Sequence, residues 1–255
     1  AEEHVLARWP AREDLPVTST KLPEINAPRR GRIVVVDKPG RTQVQLRVGQ
    51  LVMGGNDEEA EVFWLGSTAF GGTFTSPFNR EVRDKRGWSY FASSEFRRTR
   101  RTVSPMILHS APSVQDLPDC LGLELELLGG LASGELDVEE VERAREYMLN
   151  RYPLSVATAS DRIVPTLLLE LLGRDPSELM GLPARLEAIK PARVAEVMQE
   201  RLCTDEVLVV MVASADEVVP ALEERFGHLA IDVVDYRFGL ERVDAAAGAQ
   251  EVSCG

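Results

Sequence analysis

The residues of this chain that could do chemistry are few and scattered. A zinc-binding helix needs two imidazoles on one face with a glutamate beside them as base. The three histidines, His4, His109 and His228, lie far apart, and none has a Glu-His neighbour. Each reads as a surface or hydrogen-bonded histidine. Cys120, Cys203 and Cys254 are odd in number and widely spaced, which argues against a disulfide framework and against a thiolate metal cluster. Ser67, Ser76 and Ser160 stand in no nucleophile-elbow context, and the carboxylates of the later helices read as solvated faces. The dense segment is Phe70 to Tyr90, which brings glycines, aromatics, Asn79, Glu81 and Arg83 close together.

The elements that must position this segment are legible on either side of it. Arg32 to Asp37 is a β-branched run closed by Lys38-Pro39-Gly40. Val44, Leu46 and Val48 then alternate with polar residues, so the pair reads as a hairpin with one buried face. Asp57 can cap a helix that runs to about Phe70, where Gly71 and Gly72 break it. Pro77 suits the first turn of a second short helix ending before Gly87. Trp88 to Phe96 and Thr102 to His109 read as antiparallel strands, with the basic cluster Arg97 to Arg101 as a solvated turn between them. Helical periodicity runs from Leu117 to Leu128, from Asp137 to Arg151, and near 155–172, 176–187 and 191–202. Val207 to Val212 is an apolar run suited to a buried strand, and a helix from about Asp216 to Arg225 comes after it. Grouping of this kind, without strict strand-helix alternation, indicates an α+β fold with a mainly antiparallel sheet of about five or six strands covered by helices.

The segment from Phe70 to Tyr90 resembles the C-terminal half of the pitrilysin/insulinase family of inverzincin zinc metallopeptidases, to which mitochondrial processing peptidase belongs. That pattern has two glycines, Phe, a small polar pair, a hydrophobe, Asn, a polar residue, Glu, a hydrophobe and Arg, then Arg-Gly, a hydrophobe and Tyr. The match is nearly continuous. Val36 to Gly40 with Gln43, Gly134 with Asp137 to Arg145, and Ile189 to Val194 resemble further parts of the same half-domain, so the similarity covers roughly 32–215.

The resemblance implies roles. An Arg and a Tyr of this half reach toward the zinc site of the other half, and the matching residues are Arg83 and Tyr90. A guanidinium and a phenol are both donors, so together they can hold a substrate carbonyl and stabilise the oxyanion that forms on it. The plain structural alternative pairs Arg83 with Glu81 or Asp84 and makes Tyr90 a core aromatic. Gly71 and Gly72 could let substrate backbone approach closely, or could simply turn the chain. Phe74 and Phe78 could line a cleft, although aromatics beside a turn are more often core.

Composition bounds the rest. The 255 residues are 44% hydrophobic and 27% charged, which is globular, and the net charge of -12 disfavours a nucleic-acid surface. No apolar stretch approaches the ~20 residues of a membrane span. The expected organisation is a Pro-rich lead-in or interdomain linker over 1–30, an inactive peptidase half-domain over 31–240 and a tail over 241–255. The chain reads as soluble, cytoplasmic or periplasmic, with no cofactor of its own. Its expected partners are a zinc-bearing peptidase half, as a subunit or upstream domain, and peptide substrate, with a homodimer also possible. The expected function is peptide binding and transition-state support, without activity alone. The alternative is a catalytically silent scaffold of the same fold.

Overall fold

The computed structural model describes residues 31–55, 57–96, 103–171 and 173–237. The lead-in, the basic cluster at Arg97 to Arg101 and the tail beyond 237 lie outside the described residues. Six strands form one sheet: β1 (Arg32–Asp37), β2 (Gln45–Leu51), β3 (Ser93–Phe96), β4 (Pro105–Ser110), β5 (Leu208–Ala213) and β6 (Ala230–Asp235), in the order β3-β4-β2-β5-β1-β6. The pairings of β2 with β4, β2 with β5 and β3 with β4 are antiparallel; those of β1 with β5 and β1 with β6 are parallel. The α+β class and the antiparallel majority expected from the sequence are both present.

One local expectation is corrected. The strands β1 and β2 are not a hairpin, because β5 runs between them. The polar groups of the β1 turn are satisfied by the end of β5 instead. Lys38 donates its backbone N–H to the Ala213 carbonyl at 2.8 Å, Ala215 N–H donates to Asp37 Oδ1 at 2.9 Å, and Arg41 N–H donates to Ser214 Oγ at 3.1 Å. The apolar run of β5 is thereby paired on both edges, where a continuous hydrophobic strand is most stable. Moreover, β3 is shorter than the aromatic run from Trp88 suggests, and β6 adds a strand that the sequence pattern does not announce. It is an acidic edge strand, in which Asp232 and Asp235 discourage further pairing.

Alternate residues of the strands, among them Ile33, Val35, Leu46, Val48, Met106, Leu108, Val209 and Met211, are buried under the helices. Their neighbours Val34, Val36, Arg47, Ile107, Val210 and Val212 are only half-buried on the opposite face. The covering layer contains α1 (Ala60–Gly71), a short α2 (Pro77–Asn79) that continues as a π-helical turn (Arg80–Lys85), α3 (Leu117–Ala132), α4 (Val138–Ser155), α5 (Ala159–Leu171), α6 (Glu178–Ala188), α7 (Pro191–Arg201) and α8 (Ala215–Phe226). Phe63 of α1 packs on Phe96 of β3, ring centroids 4.8 Å apart, while Leu65 and Ala69 meet Val141, Ala144 and Met148 of α4 and Leu186 of α6. The helix α1 is thus held from both sides, by the sheet below and by the outer helices above. Glu59, not Asp57, stands at the cap position of α1; Asp57 accepts the Glu59 backbone N–H at 2.9 Å in the turn before it. Among the described residues no helix is long and apolar enough to cross a membrane.

Candidate functional site

The chain leaves α1 at Gly71, which is buried against the edge strand β3. A Cβ built there would lie 2.6 Å from Ser94 Cβ and 2.7 Å from its backbone nitrogen. Glycine is required here by close packing of helix on strand, and Gly71 faces the sheet, not an open cleft. Gly72 is exposed and donates its backbone N–H to the Thr68 carbonyl at 2.8 Å, closing the helix. The next loop is fixed by Ser76, whose buried hydroxyl donates to the Thr73 carbonyl at 2.6 Å.

The two phenylalanines of this loop separate. Phe78 is fully buried and stacks on Phe70 with centroids 5.5 Å apart, so it belongs to the core. Phe74 is 60% exposed and lies over Arg83, with 4.1 Å from the ring centroid to the guanidinium carbon.

Arg83 sits on the π-helical turn, a wider winding that recurs at functional sites. Two features lock that turn. The Glu81 carboxylate accepts from Lys85 Nζ at 2.5 Å and from Arg86 Nη1 at 2.7 Å, and these two cations hold its carboxyl below the usual glutamate range. Arg80 reaches Glu140 of α4 at 3.1 Å and the Thr75 carbonyl at 3.3 Å, bracing the turn against both α4 and the loop. Because Glu81 is occupied by Lys85 and Arg86, Arg83 takes the exposed Asp84 as its ion-pair partner, at 3.1 Å.

Gly87, at φ +67°, then reverses the chain in a left-handed conformation that favours glycine. Ser89 anchors the outgoing segment: its buried hydroxyl donates to the Phe91 carbonyl and accepts from Ala111 N–H at 2.9 Å. Tyr90 is therefore projected outward, 84% exposed, with its ring centroid 5.9 Å from the Arg83 guanidinium carbon. The geometry brings together Phe74, Arg83 and Tyr90: a guanidinium flanked by two exposed aromatic rings. Of the plain structural alternative, the pairing of Arg83 with Asp84 is present, whereas Tyr90 is not a core aromatic. Sequence reasoning missed the anchors Ser76, Ser89 and Arg80. Their signal is weak, since a serine one residue before Tyr90 is uninformative until its partner beside β4 is known.

Among the described residues no group of three or more His, Cys, Asp or Glu side chains could hold a metal ion. His109 pairs with Glu95 of the neighbouring strand at 3.4 Å, and His228 lies at the far end of the sheet near Leu229 and Thr204.

Residues 2–148 match the family described as the peptidase M16 inactive domain. The chain belongs to that family. Its fold resembles a peptidase M16 inactive domain from Pseudomonas fluorescens, with a TM-score of 0.66 and 20% identity over 75% of this chain and 45% of that one. It also resembles a protease from Helicobacter pylori, with a TM-score of 0.70 and 16% identity over 83% of this chain and 52% of that one. The first half of the periplasmic protease PqqL from Escherichia coli aligns with all of this chain and 55% of its own, with a TM-score of 0.64 and 11% identity. The chain spans about half the length of these structures, and at such identities the likeness is one of fold alone. A search of curated proteins gave no match.

Proposed function

We propose that this chain is the substrate-binding, non-catalytic half of a two-part zinc peptidase, with Arg83 and Tyr90 as donors to the peptide carbonyl under attack. The observation that carries this reading is the exposure of Tyr90 and Phe74 on either side of Arg83. Burying these aromatics would favour a purely structural role; the fold instead holds both rings in solvent with buried serines as anchors. Phe74 restricts the guanidinium by stacking, which lowers the entropy lost when its N–H groups engage an acceptor. The N–H groups of Arg83 that Asp84 leaves free and the phenol O–H would then present donors to one oxygen, and these bonds strengthen as that oxygen gains negative charge.

The zinc would belong to the partner half, a separate subunit or another part of a longer polypeptide, and would supply an activated water. This chain's residues bind and orient the peptide and stabilise charge. Gly72, exposed at the rim of a cleft beside β3, can admit peptide backbone nearby. The test is peptidase activity on a mixed peptide library, with this chain alone and with a His-x-x-Glu-His partner, beside elemental analysis of the purified chain. The reading expects activity in the mixture only and far less than one zinc per chain. One tightly held zinc in this chain, or a stable complex without activity, would overturn it, the latter in favour of the scaffold.

A further inference from the structure

The structure holds a second feature that the Arg83 and Tyr90 pair does not use. A cleft of about 380 Å³ opens between α1 with β3 on one side and α4 with α6 on the other. A neighbouring cavity of about 280 Å³ shares Trp64, Phe96 and Leu182 with it and extends the same trough toward α5. These volumes suit large side chains of a ligand. Trp64, Phe96, Met148, Leu182 and Leu186 give the cleft its apolar surface, and Ser67, Thr68, Ser94 and Glu95 line it with polar groups.

The mouth of the cleft has a different chemistry. Arg151 is exposed at the C-terminal end of α4, and its Nη1 donates to the Tyr147 hydroxyl at 2.7 Å while the guanidinium lies over the Tyr147 ring. Among the described residues its partner is this phenol, not a carboxylate. That contrasts with Arg174 and Arg185 in the adjoining cavity, which Glu61 and Glu178 neutralise. An exposed guanidinium held by a phenol hydroxyl beside a partly apolar slot can receive a carboxylate attached to a bulky apolar group.

We infer that this cleft is a peptide subsite that takes a large apolar or aromatic residue and, at its mouth, an adjacent carboxylate held by Arg151. The inference rests on the peptide-binding reading above. Gly72 borders the cleft and begins the loop that carries Phe74. The carboxylate can come from an acidic side chain or from a free C-terminus; both present the same charge to the guanidinium.

Fluorescence anisotropy of labelled tetrapeptides with the full chain tests this. The probes differ at two places: Phe against Ala, and the next residue as Glu against Gln, each with a free or amidated C-terminus. Expected is about tenfold tighter binding for Phe-Glu than for Phe-Gln or Ala-Glu amides, a ratio within reach of one charge-assisted bond. A gain limited to free acids would assign the C-terminal source. Arg151→Gln, at an exposed position, should abolish the charge preference and keep the preference for Phe. The proposal is overturned if the peptides bind equally, or if the Glu preference survives in Arg151→Gln with the fold intact by circular dichroism. Loss of turnover in Tyr90→Phe without peptide selectivity here would refute the subsite alone.

Discussion

Arg83 and Tyr90 meet across Gly87, with the guanidinium carbon 5.9 Å from the phenol ring centroid, although one side chain leaves a helical turn and the other an irregular segment. Their approach depends on three local devices: the left-handed glycine between them, the Glu81 carboxylate that closes the turn, and the Ser89 hydroxyl that ties the outgoing chain to the end of β4. Each positions Arg83 or Tyr90.

The contrast between Phe74 and Phe78 gives the first prediction. Phe78→Ala removes a fully buried ring and should cost about 3–5 kcal/mol of stability, read by denaturant unfolding. Phe74→Ala should change stability by less than about 1 kcal/mol, yet lower turnover of the reconstituted peptidase several-fold by releasing Arg83. Equal destabilisation by both would contradict the assignment of Phe74 to the surface.

Gly71→Ala places a methyl group within 3 Å of Ser94 on β3. Destabilisation of about 1–3 kcal/mol is expected from such overpacking. Thermal unfolding reports it, and Ser94→Gly in the same chain should recover part of the loss.

Glu124 of α3 is fully buried beside Cys120, Sγ to Oε1 3.5 Å. Burial raises its carboxyl to about 7, against smaller opposing effects of Ser110, Cys120 and Arg47. The native state therefore holds a proton that the unfolded chain releases near pH 4.5. Stability from this group is fully present below that value and is lost as pH rises toward 7, by an amount on the order of 3 kcal/mol. Glu124→Gln should flatten this part of the stability profile. A wild-type profile rising with pH over the same interval, and equally so in the variant, would assign the dependence elsewhere.

Burial, with the Glu124 charge adding to it, also pushes the Cys120 thiol well above the ordinary cysteine range, whereas Cys203 is exposed. Cys120→Ser should leave the number of thiols alkylated under native conditions unchanged, and Cys203→Ser should lower it by one, both read by intact mass.

Much of the element order was legible because it rests on local signals. Pro77 and Gly87 bracket the turn carrying Arg83, Asp137 caps α4, and the apolar run before Ala213 reads as a strand. What was illegible depended on partners distant in sequence. The insertion of β5 between β1 and β2 is decided by residues more than 150 positions away, and a local alternation pattern is the same for a hairpin as for two separated strands. Trp88 to Ala92 has strand-forming composition, yet Ser89 diverts its backbone into a bonded loop. Likewise residue type does not separate Phe74 from Phe78; the stack of Phe78 on Phe70 and its place in the core cluster appear only in the fold. The motif located the candidate site, while the exposure that frees the Tyr90 hydroxyl to donate came from packing.

The measurement that tests the central claim most directly is steady-state turnover of the reconstituted two-part enzyme carrying Tyr90→Phe. The substitution removes one hydroxyl from a residue already in solvent, so folding and assembly should be intact. The account predicts kcat lower by about ten- to a thousandfold with KM little changed, as for loss of an oxyanion donor. Unchanged kcat in a correctly assembled complex would contradict it and return Arg83 and Tyr90 to a structural role.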